Sequence, residues 1–440
     1  MAFNPAVMKA VETLGYRVTI GDVASQAGLD VKVAERDLLV LASEAGGHMQ
    51  VAESGEIAYL FAQNFRDVLR NKSFQLRVQE WWNRIWKILF YLIRISFGIV
   101  LIGSIILMAI AIIILMIAIN SSRGDDNDSG GDFGDGGGIF MPNFWIGPDW
   151  YWIFLPDYGD RHPANRHRKR DNEMSFLESI YSFIFGDGNP NADLEERRWQ
   201  TIATVIRNNG GAIVAEQIVP YLDELGDRTK QEFEDYMLPV LSRFNGRPEV
   251  SPEGQIVYHF PELQVMAQQS RPQAVGAYLK EALWRFSQAS SGQITLAAGL
   301  GGVYIVLAIV LGSLLRGGLA AQIGGLVGFV GGIYGFLLAY GIGFLAIPLI
   351  RYFWIQWRNQ KIESRNDQRM IRAQTLNQMS ETVQQKLAFA QQFATETLVS
   401  EDDLAYTTET DLTTQELLNA DKVDAEWQKR LEQSSGSSSP

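Results

Sequence analysis

The chain has 440 residues, of which 47% are hydrophobic and 20% charged, and its mean hydropathy is −0.04. It contains no cysteine and only four histidines, which excludes disulfides, thiolate nucleophiles, cysteine-ligated zinc and protein-held iron–sulfur clusters, and disfavours histidine-rich metal sites. The net charge of −12 argues against the broad basic field that captures nucleic acids.

Residues 1–65 predict a small α+β domain. A short strand (YRVTI) precedes a short helix opened by Gly21 and Asp22, and a longer helix follows, capped by Asp30 and closed by Gly46–Gly47. Alternating apolar and polar residues around ESGE then predict a β-hairpin. The order helix, strand, helix, helix, hairpin resembles a winged helix-turn-helix domain.

Residues 66–94 carry seven Lys/Arg against two acidic residues, together with several tryptophans, and predict a helix at the membrane interface. Its candidate interface anchors are Trp81, Trp82, Trp86, Arg77, Arg84 and Lys87. Residues 95–119 follow without a single charge; as a helix they span about 37 Å, enough to cross a bilayer. The positive-inside bias predicts that the N-terminal side is cytoplasmic.

Residues 120–138 are rich in glycine and aspartate and predict a flexible linker. Their aspartates match a calcium-binding loop only loosely, because the closing glutamate is missing, so we predict no metal site. Residues 139–172 combine three tryptophans and several proline and glycine breaks with a basic stretch. This composition predicts an interfacial or re-entrant segment.

The chain contains an internal repeat. Residues 39–61 and 238–260 align without gaps at an offset of 199, with eight identities in 23 positions. The identical pairs are Leu39/Leu238, Ser43/Ser242, Gly47/Gly246, Val51/Val250, Gly55/Gly254, Ile57/Ile256, Tyr59/Tyr258 and Phe61/Phe260. We therefore predict a second winged-helix-like copy over residues 173–265.

Both copies are acidic. Residues 1–65 hold four Lys/Arg and eight Asp/Glu, and residues 194–265 hold seven and twelve. Helices that read DNA need basic side chains, whereas the equivalent helices here carry Asp30, Glu35, Asp37 and Glu44, or Asp227, Glu232, Glu234 and Asp235. We expect protein-interaction or self-association modules, and consider nucleic acid an improbable partner.

Residues 266–293 predict an amphipathic connector, with a basic helix entering the membrane after each copy. Residues 294–350 hold one charge, Arg316, and predict a glycine-rich transmembrane hairpin with its turn at 314–318. Four-residue spacing predicts close helix packing at Gly324, Gly328, Gly332, Gly331, Gly335 and Gly343; a pore is the alternative. Basic residues flank both ends, so both flanks should be cytoplasmic.

Placing both copies on one membrane face demands an even number of crossings between them. Either residues 139–156 return the chain, or the block beginning at Ile88 bends into a shallow hairpin; the sequence leaves both open. Residues 351–398 predict a long helix that forms a short coiled coil or docks onto the winged-helix copies, with Lys386 interrupting its apolar seam. Residues 399–440 hold ten acidic and three basic residues and predict a disordered tail.

The segment SFLESIYSFIFGDGNPNADLEERRW (175–199), the two copies and the glycine-rich hairpin together resemble a family of multi-pass membrane proteins of cyanobacteria and chloroplast envelopes. The resemblance covers most of the chain and transfers no catalytic residue. It implies a cyanobacterial plasma or thylakoid membrane with cytoplasmic modules. Some plant relatives carry an "iron-sulfur cluster biosynthesis" label; without cysteine, this chain would at most assist another protein in that process.

The expected fold is a mainly α membrane protein with two α+β winged-helix-like domains, a transmembrane hairpin and a long C-terminal helix. The sequence shows no P-loop, dinucleotide fingerprint, nucleophile elbow or metalloprotease motif. We therefore expect no enzyme activity and no cofactor, but a membrane scaffold or assembly factor that recruits a cytoplasmic protein. A second copy of the chain, forming a homo-oligomer, is an alternative partner. A membrane-tethered transcription regulator and a transporter or channel subunit are the alternatives.

Overall fold

The computed structural model describes residues 3–72, 74–122, 174–223, 234–269, 271–316, 318, 322–377, 381–400, 404–415, 417 and 427–428. The described part is mostly helical, with three long apolar helices and small sheets. It divides into two compact units. The two-copy unit comprises residues 1–81, 191–282 and 362–440, and the helical bundle comprises residues 82–190 and 283–361. The predicted segment 139–172 and nearly all of the predicted linker 120–138 lie outside the described residues.

The first copy follows the predicted order. Its elements are α1 (Pro5–Thr13), β1 (Arg17–Thr19), α2 (Ile20–Ala27), α3 (Val31–Ala45), β2 (His48–Ala52) and β3 (Ile57–Leu60). The three strands form an antiparallel sheet in the order β1-β3-β2. Asp30 caps α3 as predicted, and Gly46 ends that helix in the left-handed conformation.

The predicted start of α2 was wrong. The helix is capped by Thr19, whose hydroxyl accepts the N–H of Asp22 at 3.1 Å, while the Asp22 carboxylate accepts the N–H of Thr19 at 2.9 Å. This reciprocal capping box satisfies two backbone donors, so the helix begins just before the predicted Gly21.

The second copy repeats this order with a longer first helix and shorter second and third helices. Its elements are α7 (Leu194–Asn208), β4 (Ala212–Ile213), α8 (Ala215–Ile218), α9 (Leu238–Phe244), β5 (Arg247–Val250) and β6 (Ile256–His259), with the sheet order β4-β6-β5. After α8 the chain continues as a 3₁₀ turn, Val219–Tyr221, around Pro220, which cannot donate a helical hydrogen bond. Asp227 and Glu232, predicted on the third helix, lie outside the described residues.

Two of the repeated glycines have a clear structural role in each copy. A Cβ atom on Gly47 would lie 2.8 Å from the ring of Phe61, and one on Gly246 would meet the ring of Phe260. Gly55 and Gly254 occupy the hairpin turns at φ values of 87° and 83°, which L side chains rarely adopt. These identities therefore preserve the same hairpin in both copies.

The C-terminal chain packs against both copies. Strand β7 (Val265–Met266), after the short α10 (Pro261–Gln264), pairs in parallel with β8 (Thr397–Leu398). Helix α13 (Glu381–Ala390) lies against the second sheet, where Ala390 is buried with Val214 and Val257. Strand β9 (Leu404–Thr407) pairs with β2.

The tail and the connector differ from the sequence expectation. The prediction of a disordered tail was wrong for β9, because backbone pairing with the first sheet orders that acidic segment. The basic helix predicted after the second copy is also absent from the described part of 267–290. Of the two alternatives for the segment that follows the membrane hairpin, the described residues show docking onto the second copy.

The bundle contains α5, α6 and two further long helices. Helix α4 (Phe65–Lys72) leads into α5 (Phe74–Ser122); α6 (Phe176–Phe185), α11 (Ser291–Leu315) and α12 (Gly325–Asn377) follow. Three helical stretches are long and apolar enough to cross a membrane: Arg84–Ser121, Ser291–Leu315 and Gly325–Thr375. Helix α5 runs unbroken through the predicted boundary at 94/95, since helical hydrogen bonding continues from the basic segment into the apolar one.

Helices α11 and α12 pack antiparallel through glycines other than those predicted. Gly301 faces Phe344, Gly341 faces Tyr304, and Gly312 faces Tyr334. The hydroxyl of Tyr304 also donates to the carbonyl oxygen of Leu337 at 2.9 Å. The two helices therefore approach each other where a glycine on one meets an aromatic ring on the other.

Four of the six predicted packing glycines do not make these contacts with the described residues. Added Cβ atoms at Gly324, Gly332 and Gly335 would meet no neighbour within 4 Å, and one at Gly343 would meet only Ile347, at 3.9 Å. Gly328 and Gly331 are half-exposed. The aromatic rings of α11 and α12 meet Gly301, Gly312 and Gly341 instead.

Helix α6 lies near the N-terminal end of the apolar part of α5. Gly98 lies against Leu177, and Arg94 pairs with Asp187 at 3.5 Å. Asn120 lies 22 residues beyond Gly98, about 33 Å along the helix. The described residues on either side of the gap at 123–173 therefore lie near opposite ends of the apolar part of α5, residues 95–119.

Candidate functional site

A buried ion pair joins the two copies. Asp22 on α2 and Arg207 on α7 approach to 2.7 Å, with only 8% and 15% of their side chains exposed. The same guanidinium donates to the hydroxyl of Ser25 at 3.0 Å. Because each copy supplies one charge, removal of either side chain would leave the other charge nearly buried and unpaired.

The carboxylate of Asp22 has no spare capacity. One oxygen receives the guanidinium of Arg207, and the other accepts the N–H groups of Thr19 and Ala267, each at 2.9 Å. The arrangement is suited to holding the two copies and the connector together.

A polar cavity of about 380 Å³ lies beside this ion pair. Its walls come from α1, α2, α7 and the connector, and include Arg17, Gln26, Thr204 and Gln268. Arg17 is already bound to Gln50 and to the carbonyl oxygens of Ala267 and Val399. The positive charges at this cavity thus serve contacts between segments of the two-copy unit.

A second contact reinforces the joint. The guanidinium of Arg243 donates to the carbonyl oxygen of Gly28 at 2.7 Å and lies 4.4 Å from the ring centre of Trp199. Gly28 ends α2 at a φ of 62°, and a Cβ there would crowd the backbone of Glu196 and Gln200. Only glycine satisfies both the backbone conformation and this close approach.

The third helix of each copy exposes an identical pair of residues. Leu39 is 56% exposed and its repeat partner Leu238 is 62% exposed. Ser43 and Ser242, one turn further along, are also exposed. None of these four side chains belongs to the buried core of the unit. The sequence analysis noted these identities without assigning them a role.

A charged network fixes the end of α12 to the connector. Glu281, only 6% exposed as a side chain, pairs with Arg365 at 2.6 Å and with Arg369 at 2.9 Å. Arg369 also pairs with Asp223 at 2.9 Å and donates to the carbonyl oxygen of Leu279. Burial alone would raise the pKa of Glu281, but the hydrogen bonds and charges of the two arginines hold that pKa below its ordinary value.

Lys386, predicted to interrupt an apolar seam, has a specific place in the structure. Its ammonium lies 2.9 Å from Glu216 and 2.8 Å from Glu234 of the second copy. Burial would lower the pKa of Lys386, but the two carboxylates raise it above the ordinary value. Glu234 also accepts the hydroxyl of Tyr258, whose pKa is raised by burial and by this neighbouring charge.

The predicted interface anchors lie on the surface of α5. Trp81, Trp82 and Trp86 are 51–62% exposed, and the rings of Trp82 and Trp86 stack with centres 6.4 Å apart. Arg84 and Lys87 are exposed, whereas the side chain of Arg77 lies outside the described part.

Helix α12 carries a similar belt of tryptophan and basic residues, which was not predicted from the sequence. Arg358 lies over Trp284 and Trp354, and Lys361 lies 3.9 Å from the ring centre of Trp357. The signal was an aromatic residue three or four positions before a cation on a helix that leaves an apolar block.

The remaining sites missed from sequence are ion pairs. Asp22 and Arg207, or Glu281 and Arg369, lie far apart in sequence and carry no local pattern.

Among the described residues, no three histidine, aspartate or glutamate side chains are grouped in a way that could hold a metal ion.

Fold and site together define a mostly helical protein with three long apolar helices and a duplicated α/β module closed by a buried ion pair. No protein-family model matches the chain, and no solved structure matches it significantly. The chain is 37% identical to the Arabidopsis thaliana protein described as "Uncharacterized protein At5g03900, chloroplastic", over 97% of this chain and 82% of the relative. The chain therefore belongs to the family of this chloroplast protein. That description supports neither the iron–sulfur label nor a cyanobacterial source.

Proposed function

We propose that the protein is a non-enzymatic membrane scaffold or assembly factor that recruits a protein partner through its two acidic copies. The observation that carries this proposal is the repeated exposed face of the third helix. Leu39 and Leu238 have remained identical although fifteen of the 23 aligned positions differ, and neither is buried in the core. Two identical exposed apolar residues favour contact with a partner.

We infer that the copies are winged-helix domains. The order α1-β1-α2-α3-β2-β3 and the sheet order β1-β3-β2 are those of such a domain, and the second copy has the equivalent sheet order. In winged helices the third helix is the element usually offered to a partner. The negative charge of both copies favours a protein partner over nucleic acid.

We also propose that the protein is a multi-pass integral membrane protein, with α5, α11 and α12 as its described crossings. Their length and apolar composition support this, as do the two belts of tryptophan and basic residues. The copies would lie in the cytoplasm or, in a plastid, the stroma. The chloroplast relative supports a plastid-type membrane.

Quantitative cross-linking capture from native membranes tests the recruitment proposal. Three forms are compared: the wild-type chain, the double variant Leu39→Glu/Leu238→Glu, and a matched control, Leu417→Glu, at a leucine that is 79% exposed. A true partner should be recovered equally with wild type and control, and at least about five-fold less with the double variant, since each lost contact is worth about 1 kcal/mol or more.

An identical recovery from all three forms would refute recruitment through the third helices. Salt-dependent binding of duplex DNA by the purified protein would favour the tethered regulator instead.

A further inference from the structure

The outer edge of the first sheet is occupied by the chain's own C-terminal segment. Strand β9 pairs antiparallel with β2, placing Thr407 opposite Gln50 and Tyr406 opposite Val51. Just beyond, the N–H of Met49 donates to the hydroxyl of Thr408 at 2.8 Å, and the N–H of Thr408 donates to the carbonyl oxygen of Met49 at 3.0 Å. The edge of β2 is thus a working template for strand addition.

The internal repeat provides a comparison for this edge. At the offset of 199, Met49 corresponds to Pro248, and both face equivalent tyrosines across the hairpin, Tyr59 and Tyr258. Proline has no N–H. The backbone group that donates to the hydroxyl of Thr408 in the first copy is therefore missing from the second copy. Within the described residues, no strand pairs with the outer edge of β5.

Exposure agrees with this difference. Val51 is half-buried beside β9, whereas its repeat partner Val250 is 63% exposed. The same hairpin therefore has an edge that accepts a strand in one copy and an edge closed by proline in the other. A proline at an exposed sheet edge is a common device against unwanted strand pairing.

The hold of β9 on this edge is light. The strand has four residues, of which Ala405 and Tyr406 are exposed. Leu404 alone packs, half-buried, against the small cluster that contains Ala52, Ala58 and Val265. Because β9 belongs to the same chain, it competes for this edge at a high effective concentration.

We propose that the outer edge of β2 is a peptide-binding site that β9 occupies in cis, and that an extended segment of a protein partner displaces it. The contacts of β9 specify this segment: an apolar residue for the position of Leu404 and a hydroxyl residue four positions later, for the position of Thr408. The site deepens the recruitment role proposed above and rests on it only for the existence of a natural partner.

The test uses a fluorescent peptide with the sequence of residues 402–416 and the full-length protein in detergent. A second form of the protein ends at Ser400 and so lacks β9. The peptide should bind this shortened chain at least about ten-fold more tightly than the full chain, because the tethered strand no longer competes. Binding should be lost from the shortened chain carrying Met49→Pro. The second copy already has a proline at the equivalent position, Pro248.

A peptide carrying Thr408→Pro is the matched control and should also fail to bind, since it loses both hydrogen bonds to Met49. Equal binding to the full and shortened chains, or binding that survives Met49→Pro, would overturn the proposal, as would no binding to a shortened chain that keeps its thermal unfolding midpoint.

If the shortened chain does not fold, hydrogen exchange of the full chain decides the matter. The amide of Met49 should exchange by local opening while the core helix α3 stays protected; exchange of both only on global unfolding would overturn the proposal. Neither measurement involves Leu39 or Leu238, so failure here is distinguishable from failure of the recruitment role.

Discussion

Asp22 and Arg207 stand in opposite copies of a duplicated module and form a nearly buried ion pair 2.7 Å long. Replacing Arg207 with methionine should leave the Asp22 carboxylate buried without its counter-charge. We expect a loss of about 3–5 kcal/mol in the free energy of opening of the two-copy unit. Hydrogen exchange at the amides of α2 and α7 measures this quantity.

The control for that substitution is an exposed ion pair in the same unit. Arg36 lies 3.0 Å from Asp37, but 71% of its side chain is exposed. Arg36→Met should cost no more than about 1 kcal/mol. Equal costs for the two substitutions would show that the joint between the copies does not depend on Arg207.

Gly341→Ala should destabilise the contact between α11 and α12. Its new methyl group would lie 2.6 Å from the ring of Tyr304, which is fixed by its hydrogen bond to Leu337. We expect a cost of about 1–3 kcal/mol from this overpacking, measured as a lower thermal unfolding midpoint in detergent. Gly335→Ala on the same helix meets open space and should be neutral or mildly stabilising. A reversed order of the two variants would contradict the helix contacts described above.

The topology of α5 can be tested with single cysteines, because the chain has none of its own. Asn120→Cys and Pro190→Cys introduce labelling sites at exposed positions near opposite ends of the apolar part of α5. In sealed membrane vesicles, an impermeant maleimide should reach only one of them, and permeabilisation should expose both. Labelling of both sites in intact vesicles would argue against α5 as a membrane crossing. The unaltered chain gives the background.

The Glu281 network predicts a loss of stability in acid. Arg365 and Arg369 face its carboxylate, Asn366 hydrogen-bonds the Glu281 backbone, and Asp223 binds the far side of Arg369. The pKa of Glu281 is lower in the folded protein than in the unfolded chain. Its stabilising contribution is therefore complete above the ordinary glutamate pKa and disappears as the pH falls through the folded value.

Glu281→Gln isolates this contribution. At neutral pH the wild type should be more stable than the variant, and the difference should shrink as the solution is acidified below the ordinary glutamate pKa. Thermal unfolding midpoints measured across an acid pH series show whether it does. A difference that stays constant with pH would mean that ionised Glu281 contributes nothing.

Local features of the structure were largely accessible from sequence. Asp30 and Gly46 mark the ends of α3 because capping is decided by one or two residues and their immediate backbone. The repeat was visible because Gly47 and Gly246 have to accommodate the same aromatic ring in each copy. The long apolar helices were equally plain, since a charge-free run of that length has few alternatives.

Long-range features were not accessible. Four-residue spacing in α12 predicted one set of packing glycines, but the glycines at the contact between α11 and α12 are determined by the positions of Tyr304, Tyr334 and Phe344. The acidic composition of the tail predicted disorder, although four of its residues form a strand with β2, because an open sheet edge depends little on side-chain charge. The sequence of α12 alone does not show which residues of α11 it meets, and the sequence of the tail alone does not show that it pairs with β2.

The first copy has a consequence for synthesis on the ribosome. Arg17 donates to the carbonyl oxygens of Ala267 and Val399, which follow it by 250 and 382 residues. At typical elongation rates the second acceptor is made roughly 20–80 s after Arg17. The first copy therefore leaves the ribosome first, but Arg17 can form its last hydrogen bond only after Val399 has been made. In the meantime its open edge is available to chaperones and to neighbouring nascent chains.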